Sequence, residues 1–489
     1  MKKQIIYTTS LLVLASLYAS AAELEWNGTF NDKNGTIVRI DRSGVWSPDQ
    51  TPTSEDNITF NHDSSTHVFN ATLTGGKTLN ANNITYNLTG VKAVTTEESN
   101  GFDSAILLGT GAKCYIAGNL TFNITKDTSE TRQVYAKITA FPGVFNVAGD
   151  VIINANDNAI LRFNDVNWDA NASLTKFYIG GNLVNQNNGN FAFSCSNITV
   201  AGIIDAGDGE INLAEAPSSS TGFNSGSISV GGIKATSDLL LTKVSAKDTL
   251  LTFTNKVDAE YKGGLVVSDS NVGKLSVKMA GENNGSRQIM RIVDSGTTTY
   301  TNRAYSSVSV SADGFATLSV ESGRIDVGFF NGKTAGDVNL SGGTLSAIGE
   351  STEAGTLDAT SLTWSGGDIV VDIESATSAD KIIASSFDKG ETLGDISITF
   401  NISKDFDIKS LLENDNELIY VIVESSSGTF SQEDADRITL GGLDDDIDCK
   451  IDVVDNSLVA TFTSSVPEPA TVAGILGVIA LAFAIRRRK

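Results

Sequence analysis

The chain has 489 residues and a formal net charge of −23, with only two histidines and three cysteines. So acidic a chain repels nucleic acid, and three scattered cysteines are too few for a disulfide framework or a zinc site. Few prolines, 46 glycines and many Asn, Ser and Thr residues predict an all-β protein of many short strands.

Residues 1–22 have the pattern of a secretory signal peptide. Lys2 and Lys3 precede an apolar stretch from Ile5 to Tyr18, and small residues follow, ending in Ala21 and Ala22. We expect export through the Sec translocon and cleavage after Ala21 or Ala22. The mature chain is then even more acidic, which favours solubility outside the cell.

Residues 23–69 are predicted to form an N-terminal cap. This segment is distinct in containing Trp26 and Trp46, and a β-solenoid needs a cover over its first open edge. The segment resembles the opening of secreted β-helical surface proteins, autotransporter passengers among them, in which a Trp-rich stretch leads into the first coils.

Residues 70–367 are predicted to form a β-solenoid, because a short strand–glycine–strand unit recurs along them. The units centre on Gly118, Gly149, Gly181, Gly202, Gly232 and Gly264, followed by a second version at Gly323, Gly342 and Gly366, about 19 to 32 residues apart. Each glycine is expected to allow a tight turn or a positive φ. The spacing predicts a right-handed parallel β-helix, and the alternative is a set of β-sandwich domains with Gly-rich hairpins.

Residues 368–464 are predicted to form a C-terminal region of antiparallel strands that closes the solenoid. Apolar strands such as Ile396–Ile402 and Glu417–Val423 are separated by charged turns. Residues 405–414 predict a short helix in which Ile408, Leu411 and Leu412 share a face.

A weak carbohydrate-contact site is predicted at Arg162, Asp165, Trp168 and Asp169, which lie in one loop-like stretch. Aromatic, guanidinium and carboxylate groups together can stack on a sugar and hydrogen-bond to it. The alternative is that Trp168 packs on a neighbouring coil.

Other reactive residues favour structural roles. His62 and His67 lack a third ligand in reach, so we expect a solvent-exposed loop and no metal site. The acidic run from Asp444 to Asp448 lacks calcium-loop spacing and predicts a solvated turn. Cys114 and Cys195 are expected to be buried thiols, with a bridge between them as the alternative. No catalytic residue, cofactor or metal is predicted.

Residues 465–489 carry three features in order at the C-terminus. Pro467, Glu468 and Pro469 make a stiff, exposed strip. A helix over 470–485, about sixteen uncharged residues, would reach roughly 24 Å and span a bilayer only marginally. The basic end, Arg486, Arg487, Arg488 and Lys489, is expected to stay among cytoplasmic headgroups, which leaves the bulk of the chain outside.

This tail resembles the PEP-CTERM sorting signal of Gram-negative bacteria. The resemblance implies recognition and cutting by an exosortase-type enzyme of the inner membrane, a transient stay in that membrane, and delivery to the cell surface or extracellular matrix. The processing residues it implies are Pro467, Glu468, Pro469, Arg486, Arg487 and Arg488. The alternative is an ordinary C-terminal anchor.

The sequence therefore predicts a secreted structural or adhesin-like protein of the envelope or matrix. Two alternatives remain open at this point: a β-helical polysaccharide-active enzyme, hydrolase or lyase, with converging carboxylates, and a carbohydrate-binding surface protein without catalysis. Exopolysaccharide or another glycan is the expected ligand class in both alternatives.

Overall fold

A computed structural model describes the chain in segments whose strands pair into one continuous series of coils. The described residues are 21–26, 38–40, 45–63, 71–91, 104–128, 134–140, 142–156, 159–165, 176–187, 189–195, 197–209, 211–213, 226–235, 241–243, 248–254, 258–267, 275–281, 286–292, 315–329, 336–347, 354–413 and 417–465. Within them the protein is all-β, and most strand pairs are parallel. The all-β prediction and the solenoid-like architecture are thereby confirmed.

The strands are numbered in chain order. Those of the N-terminal half are β1 Glu23–Trp26, β2 Val38–Arg39, β3 Trp46–Ser47, β4 Asn57–Asp63, β5 Ala71–Leu73, β6 Thr78–Ala81, β7 Ile84–Val91, β8 Ser104–Leu108, β9 Lys113–Ile116, β10 Leu120–Lys126, β11 Val134–Ala140, β12 Val144–Val147, β13 Val151–Ala155, β14 Ala159–Asp165, β15 Lys176–Ile179, β16 Leu183–Asn185, β17 Asn190–Ser194, β18 Asn197–Asp205 and β19 Ile211–Leu213. Those of the C-terminal half are β20 Gly226–Lys234, β21 Leu241–Lys243, β22 Thr249–Phe253, β23 Asp258–Val267, β24 Leu275–Ala280, β25 Arg287–Ile292, β26 Phe315–Ser322, β27 Arg324–Phe329, β28 Asp337–Ala347, β29 Thr356–Ser375, β30 Ser378–Ala379, β31 Lys381–Lys389, β32 Ile396–Ile402, β33 Leu418–Ser425, β34 Thr439–Gly441, β35 Ile447–Val454 and β36 Ser457–Ser464. Two short helices are α1 Ile408–Leu412 and α2 Gln432–Ala435.

Three stacks of parallel strands make up the regular coils. Stack 1 contains β6, β9, β12 and β15; stack 2 contains β4, β7, β10, β13 and β16; stack 3 contains β5, β8, β11, β14 and β17. The chain passes through stacks 1, 2 and 3 in turn and then begins the next coil. Apolar residues alternate with polar ones along each strand, so the apolar side chains fill the interior that the stacks enclose.

Glycines stack on one another at the corner between stacks 1 and 2. The backbone N–H of Gly149 donates to the carbonyl of Gly118, Gly181 donates to Gly149, and Gly202 donates to Gly181, each over 2.9 Å. The recurrent glycine therefore marks the same corner of consecutive coils at these four positions, as its spacing predicts.

The reason for glycine differs between the two versions of the unit. Gly118, Gly149 and Gly181 do not have a positive φ; a Cβ there would collide with the preceding coil. In the second version Gly323 has a φ of 74°, in the left-handed region that glycine permits. Gly342 and Gly366 do not have a positive φ, and a Cβ there would collide with the carbonyls of Glu321 and Ser341; the left-handed residue is the next one, Gly343 or Gly367. Close approach of coils thus explains the first version, and close approach together with backbone conformation explains the second.

The segment predicted as a cap contributes to the same core as the coils. Trp26 packs edge-on against Trp46, with ring centroids 5.3 Å apart. Phe60, Tyr86 and Phe122 stack face to face through three consecutive coils, with centroids 4.4 and 5.1 Å apart. Strand β1 pairs in parallel with β4, so this segment is continuous with stack 2.

His62 corrects an expectation about this segment. It was expected in a solvent-exposed loop, but it lies in β4 and is only 5% exposed. The strand alternation explains the burial, because His62 follows Ile58 and Phe60 at two-residue intervals on the inward side. His67 lies outside the described residues.

Antiparallel strands and two helices lie at the C-terminal end. Strand β36 pairs antiparallel with both β33 and β35, whereas β29, β31, β32 and β34 continue the parallel stacking. Phe430 stacks on Trp364 and Phe387 and so covers the last coils. The predicted helix in residues 405–414 is present as α1; Ile408 and Leu412 are buried in it, but Leu411 is exposed.

Within the described part of the chain, no helix is both long and apolar enough to cross a bilayer. The segment predicted to do so, 470–485, and the whole sorting tail lie outside that part, as do residues 1–20.

Candidate functional site

The predicted carbohydrate-contact set falls only partly within the described structure. Arg162 and Asp165 both lie in β14, and Arg162 is half-buried beside core residue Phe163. Trp168 and Asp169 lie outside the described residues, as does the side chain of Asp165. The structure therefore places one side chain of the four, and the idea of a sugar site at this position stays a prediction.

A buried ion cluster lies further along the solenoid, at β25 and β27. Asp326 is 1% exposed although it alternates with the core residues Ile325 and Val327 and so faces away from the core. Its Oδ2 accepts from Nε of Arg287 over 2.6 Å, and its Oδ1 accepts from Nε and Nη2 of Arg324 over 2.9 and 2.7 Å. The carboxylate thus joins two neighbouring coils through charge-assisted hydrogen bonds.

The carboxylate of Asp368 extends this cluster on the next coils. Burial raises its pKa, while hydrogen bonds from the hydroxyls of Ser397 and Thr399 and the charge of Arg324 act in the opposite direction. Burial opposes the charge of Arg324, but the hydrogen bond and charge of Asp326 outweigh it and raise the pKa of Arg324. Both oxygens of Asp326 and one of Asp368 are engaged by the protein's own donors, so the cluster is built to hold coils together.

Asp380 is another buried carboxyl group, at 3% exposure. Its Oδ1 accepts from the backbone N–H of Gly355 over 2.6 Å, and its Oδ2 accepts from that of Asp372 over 3.1 Å. Burial nevertheless raises the pKa of Asp380 to about 7, and the nearby charges of Asp372 and Glu374 add to the shift. Asp380 therefore fixes the start of β29 to its end and holds a proton over a wide pH range.

The raised pKa of Asp380 predicts that stability falls as pH rises from about 4 to about 7. An unfolded aspartate loses its proton near 3.8, whereas the folded one keeps it to about 7, so in this window the folded state binds more protons. Urea unfolding midpoints measured across the window should show the decline. Asp380→Asn should flatten it, and the exposed control Asp395→Asn should not; an equal slope in both variants would contradict the assignment.

A ladder of amide side chains runs along the outer face of stack 2. From one coil to the next, Nδ2 of each asparagine donates to the side-chain oxygen before it, in the order Glu25, Asn61, Asn87, Asn123, Asn154 and Asn187. The first four bonds measure 2.7, 2.7, 2.8 and 3.2 Å. The ladder stabilises the stacking of coils and presents amide groups to water at intervals of about 4.8 Å.

The remaining candidate residues have structural surroundings. Cys114 and Cys195 are buried, and no disulfide joins the three cysteines, all of which lie in the described part, so the expected buried thiols are confirmed. Burial raises the pKa of Cys114 to about 12, which makes it unreactive. The acidic run is at the turn before β35, where Lys409 pairs with Asp444 and Asp446 over 2.9 and 3.1 Å.

Across the described segments, no group of three or more His, Cys, Asp and Glu residues is placed to hold a metal ion. Comparison with models of known families finds no match to the chain, and comparison with curated proteins finds none either. A proposal for the function is therefore based on the geometry and charge of the chain itself.

Proposed function

We propose that the protein is exported and serves as a structural or adhesin-like rod of the cell envelope or extracellular matrix. In this proposal an exosortase-type enzyme recognises Pro467, Glu468 and Pro469 while the 470–485 helix and the basic end hold the chain in the inner membrane. Cutting then releases the rod to the surface or matrix. The coils are proposed to wind in the right-handed sense that parallel crossover connections prefer.

The observation that carries this proposal is that the charged and amide groups of the described coils join one coil to the next. The asparagine ladder, the glycine corner and the Asp326 cluster all link successive coils. Such an arrangement gives a stiff, elongated stack with a polar exterior, which suits a spacer or surface scaffold. The signal-peptide pattern and the tail supply the route for placing it outside.

The N-terminal end offers a specific support for export. The backbone N–H of Ala22 donates to the buried carboxylate of Asp56 over 3.0 Å, and Thr53 donates to the same group through its N–H and its hydroxyl. Cleavage after Ala21 would make the Ala22 nitrogen an ammonium group beside that carboxylate, which strengthens the contact. We therefore place signal cleavage after Ala21 in preference to Ala22.

Glu468→Ala is expected to block processing, because it removes the only charge of the Pro-Glu-Pro strip. The wild-type chain, expressed in a Gram-negative host that has an exosortase, should leave the membrane fraction with its tail removed. The variant should stay in that fraction with its tail intact. The intact mass of the purified protein shows which residues have been removed at each terminus. The mature N-terminus is expected at Ala22.

The matched control for this experiment is Ser465→Ala, just before the strip, which should be processed like the wild type. A wild-type chain that keeps residues 466–489 in such a host, or a variant processed as well as the wild type, would refute the sorting proposal.

A further inference from the structure

Two exposed tyrosines stand in one column on the outer face of stack 1. Tyr115 is 37% exposed and Tyr178 is 41% exposed. Both are in register with Asn146, Tyr115 from β9 below it and Tyr178 from β15 above it. The rings are therefore two coils apart, which corresponds to about 9.6 Å along the stack.

A lysine accompanies each tyrosine at the same offset. Lys113 and Lys176 begin the tetrapeptides Lys-Cys-Tyr-Ile and Lys-Phe-Tyr-Ile, and both are in register with Val144 between them. Both lysines are exposed, and neither forms an ion pair with another described residue. Two identical Lys–Tyr pairs thus repeat along the axis, with the uncharged strand β12 between them.

The chemistry of this surface is that of a flat platform for a sugar chain. An exposed tyrosine ring can stack on the C–H face of a pyranose, while its hydroxyl stays in water. Asn146 lies between the rings and can hydrogen-bond to sugar hydroxyls. Two units of an extended sugar chain cover a distance similar to two coils, so successive disaccharides would meet equivalent groups.

We propose that the face formed by Lys113, Tyr115, Asn146, Lys176 and Tyr178 binds an extended acidic polysaccharide that runs along the solenoid axis and carries one carboxylate in each disaccharide. The lysines supply the charge complementarity, since each repeat of the polymer brings one anion to one ammonium group. The outward positions of β9, β12 and β15 carry two lysines and no carboxylate, so this face is locally positive although the chain as a whole is acidic. The proposal goes beyond the scaffold role and depends on export only for where the polymer is met.

The test uses the full chain in mild detergent and hyaluronan, which has one carboxylate in each disaccharide, as the probe in affinity electrophoresis. Wild-type protein should bind it more tightly than neutral hydroxyethylcellulose. Tyr115→Ala with Tyr178→Ala should weaken hyaluronan binding about tenfold or more, and Lys113→Gln with Lys176→Gln should do the same. Tyr115→Phe with Tyr178→Phe keeps the rings and should retain binding.

The matched control is Leu250→Ala with Lys278→Gln, an exposed apolar residue and a lysine on later strands of the same sheet, which should bind like the wild type. Unchanged melting temperatures confirm that the variants fold. Any of four results would overturn the proposal. These are no binding of hyaluronan, equal binding of the neutral polymer, an equal loss of binding in the control variant, or a face that is occupied by a second copy of the chain in place of the polymer. None of these outcomes bears on processing of the tail, so the sorting proposal is tested separately.

Discussion

Asp326→Asn is expected to destabilise the protein by about 3 kcal/mol, at the lower end of what breaking a buried ion pair costs. The asparagine keeps one acceptor oxygen but places an amide N–H₂ against one of the two guanidinium groups, and it removes the negative charge that Arg287 and Arg324 share. Because both arginine side chains are partly exposed, water can solvate them again and limit the loss. Chemical unfolding gives the total effect, and hydrogen exchange should show it concentrated in β25 and β27.

The matched control for Asp326→Asn is Asp205→Asn, which breaks the more exposed pair with Lys234 and should cost less than about 1 kcal/mol. A second variant replaces Asp326, Arg287 and Arg324 together by leucine or methionine and should recover much of the stability, since no unpaired charge remains. Equal losses in Asp326→Asn and Asp205→Asn would show that the cluster does not hold the coils together.

The stacked architecture could be predicted from the sequence because its signal is periodic. Gly118, Gly149, Gly181 and Gly202 recur at coil length, and strand alternation shows which side chains turn inward. The same alternation places His62 inward with Ile58 and Phe60, although the polarity of its surroundings favours an exposed loop. Local pattern is therefore a better guide here than the usual preference of a residue type.

The ion cluster could not be predicted in this way. Arg287 and Asp326 are 39 residues apart, and their meeting depends on the register of β25 with β27 across a connection of irregular length. No short motif encodes that register. Contacts between charged residues in a solenoid form between neighbouring coils, and the partners are far apart in the sequence.

The Lys–Tyr face is an intermediate case. The identical offset of Tyr115 and Tyr178 from the stacked glycines is visible in the sequence, since Tyr-Ile precedes the glycine segment in both coils. Asn146 has the same offset from Gly149, so the glycine spacing also aligns it between the two tyrosines. What the sequence leaves open is how far the two rings are exposed. The column becomes a surface only when the three strands are aligned.

Gly149→Ala is expected to cost about 2 to 3 kcal/mol, because the corner between stacks 1 and 2 has no room for a side chain. A Cβ at this position would overlap the side-chain oxygen of Asn119 and lie 2.6 Å from the carbonyl oxygen of Gly118. Asn119 would have to move, and it would release the backbone N–H of Asp150, which it now accepts over 2.8 Å. The damage should be local, since each coil contacts only its neighbours.

Hydrogen exchange measured strand by strand is the suitable readout for Gly149→Ala, with protection expected to fall in β9, β10, β12, β13, β15 and β16 and to persist in the C-terminal coils. Gly226→Ala is the matched control: the nearest atoms to its added Cβ lie 3.7 Å away, an ordinary contact, so its stability should change by no more than about 0.5 kcal/mol. If both alanines were tolerated alike, the close packing of coils would not be the reason for glycine at this corner.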